Sequence, residues 1–195
     1  FVDNGERIGC TDPNGLAAAT TYDRYGRPTQ ITDGTLRTTR FAYPADGDLN
    51  LWVVTTTDVL ANGDQRAVSV ARFDQLGRPR LTQQLEQMTT PQAAAADESL
   101  GIKTETRYKF SSGINAGLVS NPYRASDPAA STRGWTATRR DKVGRVCSVE
   151  TFDGSTEPTV AQNCAPTSGA TGSTQYAYDA SVTFTEQTIT DPAAA

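Results

Sequence analysis

Three times the chain spells Asp, two variable residues, Gly, Arg, each time between runs rich in Thr, Val and Ala. The copies are Tyr22-Asp23-Arg24-Tyr25-Gly26-Arg27, Phe73-Asp74-Gln75-Leu76-Gly77-Arg78 and Arg140-Asp141-Lys142-Val143-Gly144-Arg145. Asp at the head of a type I turn accepts hydrogen bonds from backbone N–H groups two and three residues on. The two variable positions take ordinary turn angles. Gly supplies the positive φ that closes a turn with a bulge, and Arg opens the return strand. A residue with a β-carbon at that Gly costs about 1–2 kcal/mol. A single D-x-x-G turn is common. Three that share the Arg and have strand-like flanks read as hairpin tips used repeatedly.

The segments between tips follow the same logic. Strands are expected over 16–22, 28–32, 36–43, 49–57, 65–73, 80–85, 102–110, 135–140, 146–152 and 182–190. In the 49–57 run, Leu49, Leu51, Val53 and Thr55 are placed on one face and Trp52 on the other. A second, different kind of turn alternates with the tips, at Asp12-Pro13, Asp33-Gly34, Asn62-Gly63, Asp127-Pro128 and Asp191-Pro192. Tyr178-Asp179 begins a fourth copy that lacks the Gly and Arg. The fold class expected is all-β, an antiparallel meander of repeated hairpins in a single domain over 1–195. Loop insertions are placed at about 87–100, 111–134 and 153–172; the alanine run after Pro91 is read as a loop in preference to a short helix.

Composition limits what such a sheet does. The 195 residues carry 36% hydrophobic and 21% charged side chains, lean for one independent core. Net charge is −4 and the sequence pI about 4.9, so the basic footprint of a nucleic-acid binder is missing. No apolar run approaches the ~20 residues of a membrane span. His is absent, which removes the commonest general base and transition-metal ligand. No cofactor or metal is expected. Asp46, Asp48 and Asn50 are spaced as a calcium loop begins, but the later Gly and closing Glu are lacking, so a polar turn is the better account. No phosphate loop and no Ser or Cys with a base partner suggest catalysis, and the chain reads as a non-enzyme.

Of the three cysteines, Cys147 and Cys164 bracket a Gly-, Pro-, Ser- and Thr-rich loop. A disulfide there closes about 16 residues and contributes roughly 3 kcal/mol in the loop-entropy account. Cys10 is then left over. Trp52 and Trp135 are the aromatics expected to face a ligand if the sheet binds sugars. The chain begins at Phe1 without Met, as a processed product or an excised piece would.

The tips resemble the RHS or YD-repeat family, named for the Tyr-Asp pair ahead of the turn. Tyr22, Asp23, Gly26 and Arg27 match throughout; the second copy has Phe73 for Tyr; the third keeps Asp141, Gly144 and Arg145; Tyr178 and Asp179 keep the first half. The resemblance implies a long β-sheet wound into a spiral or shell, in a secreted or cell-surface bacterial scaffold. Independently of the resemblance, a meander that begins and ends mid-pattern is expected to leave unpaired strand edges, which pair with other copies or with the rest of a longer chain. Adhesion through surface glycans is the alternative. Asp12-Pro13-Asn14-Gly15-Leu16 resembles the end of that family's self-cleaving segment, but the Gly- and Tyr-rich run expected beside it is missing, and a turn is the better reading.

Overall fold

A computed structural model of the chain describes residues 9–35, 37–58, 66–86, 90–111, 113–126, 133–161, 163–178 and 185–190, with Arg66 and 185–190 as backbone only. The turns expected at Asn62-Gly63, Asp127-Pro128 and Asp191-Pro192 lie outside them, as do residues 1–8 and the Asp179 half-motif. The chain divides into two compact units, Phe1–Lys103 and Thr104–Ala195.

The first unit is an antiparallel meander. Its strands are β1 (Gly9–Thr11), β2 (Ala17–Tyr22), β3 (Pro28–Thr32), β4 (Thr38–Ala42), β5 (Trp52–Asp58), β6 (Arg66–Phe73) and β7 (Pro79–Leu85), each paired with the next. A short helix, α1 (Pro91–Ala96), follows. The 87–100 stretch was expected as a loop. Thr90 caps this helix by accepting from the Ala93 N–H, and Pro91 sits in the first turn, where its missing N–H costs nothing. Helix α1 covers one sheet face, where Val54, Val68, Val70 and Leu85 pack with Ala94.

The β5 strand starts at Trp52, three residues later than expected. The inward row is Trp52, Val54, Thr56 and Asp58, because Val54 pairs Val70, which in turn pairs Gln83 beneath the helix. Leu49 lies before the strand and is 86% exposed. Alternation puts Trp52 on the opposite face from Val53 and Thr55, as expected, and the covering segment decides which face is inside.

The second unit repeats the plan. β8 (Ile102–Ser111) begins at the boundary between the units. It pairs β9 (Ile114–Ser120), which pairs β11 (Gly134–Arg140), then β12 (Val146–Asp153), β13 (Gly172–Tyr178) and β14 (Thr185–Thr190). β10 (Tyr123–Arg124) pairs β8 off this path. The 111–134 stretch, expected as a loop insertion, thus carries β9 and β10. Its Gly, Asn and Ser content hid the strand, whose inward residues Ala116, Leu118 and Ser120 nevertheless alternate. Ala116, Leu118, Trp135, Ala137 and Phe152 form the core, and Val160 and Ala170 of the 154–171 segment close over it.

Candidate functional site

The three tips share one geometry. In each, the Asp N–H donates to the Arg carbonyl at 2.9 Å and the Gly N–H donates back to the Asp carbonyl at 2.9–3.1 Å. One Asp carboxylate oxygen accepts two backbone N–H groups: those of Tyr25 and Arg27, of Leu76 and Arg78, or of Val143 and Arg145. The acceptance is therefore from two and four residues on, correcting the expected third, whose N–H is used by the Asp carbonyl. The other carboxylate oxygen takes the Arg Nε at 2.7, 2.7 and 2.9 Å. Gly26, Gly77 and Gly144 have φ of 75°, 75° and 87°. The strand register slips by one residue just before each tip, the bulge expected of this turn.

Two further turns belong to the same class. Asp12, expected as a different turn, makes the same backbone pair with Leu16 and Gly15, and its carboxylate accepts from Asn14 and Leu16. Asp33 takes Thr35 N–H, Arg37 N–H and Arg37 Nε in the same way. The turn thus survives without the Arg at Leu16. The backbone cage is the shared element, and the Arg is an added tie.

That Arg also binds sideways. The Arg27 guanidinium lies 4.2 Å from the centre of the Tyr43 ring, and the Tyr43 hydroxyl donates to Pro28 O at 2.8 Å. Arg145 lies 4.3 Å from the Tyr178 ring, and the Tyr178 hydroxyl donates to Val146 O at 2.7 Å. Tyr178, read in the sequence as the start of a fourth copy, serves the third tip from a neighbouring strand.

Two buried arginines were missed. Arg72 and Arg139 each stand two residues before a tip aspartate. Their partners Gln83 and Glu150 each stand nine residues after it. Arg72 donates to Gln83 Oε1 (3.1 Å), Ala95 O (2.6 Å) and Ala94 O (3.2 Å), so it holds the end of α1. Arg139 is fully buried. It donates to Glu150 (2.7 Å), Ser148, and the carbonyls of Ala161, Asn163 and Ala165. The first hairpin has Thr21 and Thr32 at these offsets, and among the described residues no covering segment follows β3. Arg two before the tip, with Gln or Glu nine after it, therefore goes with a covering segment.

Cys147 and Cys164 form the expected disulfide, with Cα atoms 5.6 Å apart; Cys10 is free and exposed. The disulfide fits an oxidising, non-cytoplasmic setting. Among the described residues no helix is long and apolar enough to cross a membrane. None of them form a cluster of three or more His, Cys, Asp or Glu side chains suited to a metal.

A groove of about 610 Å³ opens beside the second tip, between the 48–51 approach to β5, the end of β6 and α1. Trp52 forms part of its wall and is half-buried, one side against the core. Asn50, Gln75, Gln92, Arg80 and Glu98 add polar groups around it. Arg80 pairs with Glu98, and that ion pair holds the Glu98 carboxyl below its ordinary range. Asp48 is engaged by Asn50 and Asp74 by Arg78. Trp135, the other expected ligand-facing aromatic, is corrected to a core residue at 2% exposure. It pairs Phe152 and Ser120 under the 154–171 segment. The five tips and the meander define an antiparallel β-hairpin repeat. The chain matches no family model, and no curated protein matches it.

Proposed function

We propose that the chain is a structural, non-enzymatic β-repeat scaffold of the RHS type, a shell- or filament-building unit that works outside a bacterial cell. The observation that carries this reading is the recurrence of one turn, at Asp12, Asp23, Asp33, Asp74 and Asp141, whose side chains are spent on holding backbone. An aspartate that accepts two N–H groups and, in all of these but Asp12, a guanidinium has little left for chemistry on a substrate. Among the described residues β1 pairs with β2 alone, and its residues Gly9, Cys10 and Thr11 are exposed. An edge of this kind templates pairing with another copy or with the rest of a longer chain. Light scattering and electron microscopy of the isolated chain test this. Concentration-dependent assemblies that Thr11→Pro abolishes are expected; a monodisperse monomer at high concentration, indifferent to added flanking hairpins, would overturn it.

The groove beside the second tip favours a second reading, a carbohydrate-binding module on the same sheet. Trp52 offers an aromatic wall, and amide, carboxylate and guanidinium groups surround it at a volume typical of small-ligand sites. A glycan array with a Trp52→Ala control tests it. Binding lost in that variant supports adhesion, and no binding leaves the scaffold alone.

A further inference from the structure

Among its described residues the 154–171 cover has no regular strand or helix. Three things fasten it to the sheet. Val160 and Ala170 pack on the core. In the wholly buried Arg139–Glu150 pair, Arg139 donates to its carbonyls and Glu150 accepts from the Thr167 N–H at 2.7 Å. The Cys147–Cys164 disulfide ties it to β12. The corresponding cover in the first unit has a helix, an uncharged Gln83 in place of Glu150, and no disulfide.

The charged pair is incompletely satisfied. Among the described residues Arg139 Nε and Glu150 Oε2 are buried without a hydrogen-bond partner. A buried charge-bearing group lacking a partner is costly, and water reaching it recovers part of that cost. Lifting the cover therefore loses several hydrogen bonds but hydrates two wanting atoms. The covalent tie tips this balance towards the docked state.

We propose that the 154–171 segment is a redox-released strap: reduction of Cys147–Cys164 frees it from the buried Arg139–Glu150 pair while the sheet beneath stays formed. Cys164 is half-buried, whereas Cys147 is 4% exposed, so the outer sulfur is the one a small thiol reaches. A thiolate of a dithiol reductant attacks Cys164 Sγ. The Cys147–Cys164 bond breaks, and Cys147 leaves as a thiolate and takes a proton. The reductant's second thiol then closes its own disulfide and releases Cys164 as a thiol. Two electrons and two protons pass from the reductant to the protein.

Hydrogen exchange on the whole chain, oxidised and then reduced with dithiothreitol, tests the proposal. On the loop-closure scale the tie favours docking by a factor on the order of 100. Peptides covering 154–171 should exchange faster by that factor after reduction, including the Ala161 and Thr167 amides, which are bonded in the docked state. Amides of the β11–β12 ladder should be unchanged, and reoxidation should restore protection. The Cys147→Ala/Cys164→Ser double variant should show the fast pattern without reductant. Unchanged exchange over 154–171 would overturn the proposal, because the Arg139–Glu150 pair and the core packing would then hold the segment without the disulfide. Loss of ladder protection in step with the segment would equally overturn it, because the disulfide would then be a staple of the whole unit.

Discussion

Replacing Gly77 by Ala isolates the backbone demand of a tip. Gly77 has φ of 75°, and a Cβ built there meets nothing within 4 Å, so no clash contributes. The cost is conformational: about 1–2 kcal/mol for an L residue in the left-handed region. Against this, Ala narrows the unfolded ensemble and returns about 0.4–1 kcal/mol. The net loss is about 1 kcal/mol. Gly117 is the matched control. It lies inside β9, no positive φ is demanded there, and its Cβ would also meet nothing within 4 Å. Gly117→Ala should therefore stabilise by about 0.5 kcal/mol through the same entropy effect. Urea unfolding followed by tryptophan fluorescence reads both. A loss of 1 kcal/mol moves the midpoint down by roughly half a molar to one molar. Gly77→Asn should recover part of the loss, since Asn tolerates the left-handed region. Gly77→Ala without effect, or both alanine variants shifting the midpoint alike, would refute the claim that the tip glycine is selected by its φ.

Acid should weaken the tips. Asp23, Asp33, Asp74 and Asp141 all have carboxyls held below their ordinary value. At Asp74 the Arg78 N–H is the leading cause; at Asp23 and Asp141 desolvation pushes up but is outweighed by the Arg N–H and guanidinium bonds; at Asp33 the Thr35 hydroxyl leads. A depressed folded pKa gives stability that is present above the unfolded value and is lost as pH falls through the folded one. The urea midpoint should hold steady above about pH 5 and fall towards pH 2–3, and a midpoint rising in acid would contradict this. Arg139→Met should cost about 3–5 kcal/mol by stranding the buried Glu150, and Arg139→Met/Glu150→Leu should cost less than that single change; calorimetry of both variants checks the order. Gly101→Ala should cost more than Gly77→Ala, since its Cβ would fall 2.2 Å from the Gln84 carbonyl oxygen at a φ of 68°.

The tips were legible because their chemistry is local: Asp, Gly and Arg act within five consecutive residues. The disulfide was legible for a similar reason, two cysteines bracketing one loop. What stayed hidden depends on neighbours distant in sequence. Tyr43 and Tyr178 reach their arginines from another strand, so a reading confined to each copy assigned Tyr178 to its own turn. Arg72 and Arg139 are core residues only because of the segments folded over them. Their shared offset from the tip, ahead of each long insertion, was the available signal. Asp12 and Asp33 were set apart because Leu16 and Leu36 break the spelling, although the backbone cage at both needs only the aspartate and the turn. Gly117, Asn115 and Ser120 hide β9, and the burial of Trp135 by the 154–171 cover, which rules it out as a ligand-facing aromatic, cannot be read from spacing.

If the tips are interchangeable structural parts, their sequences can be traded. The most direct measurement is an exchange of the Asp74–Arg78 and Asp141–Arg145 pentapeptides within the chain, followed by amide NMR and thermal unfolding. The backbone cages are alike, and the two variable positions of each tip are exposed. The account predicts an unchanged ladder of protected strand amides and stability within about 0.5 kcal/mol of the parent, as for surface substitutions away from special features. Loss of cooperative unfolding, or of the β6–β7 or β11–β12 pairing, would contradict it, because each tip would then be specific to its own place in the chain.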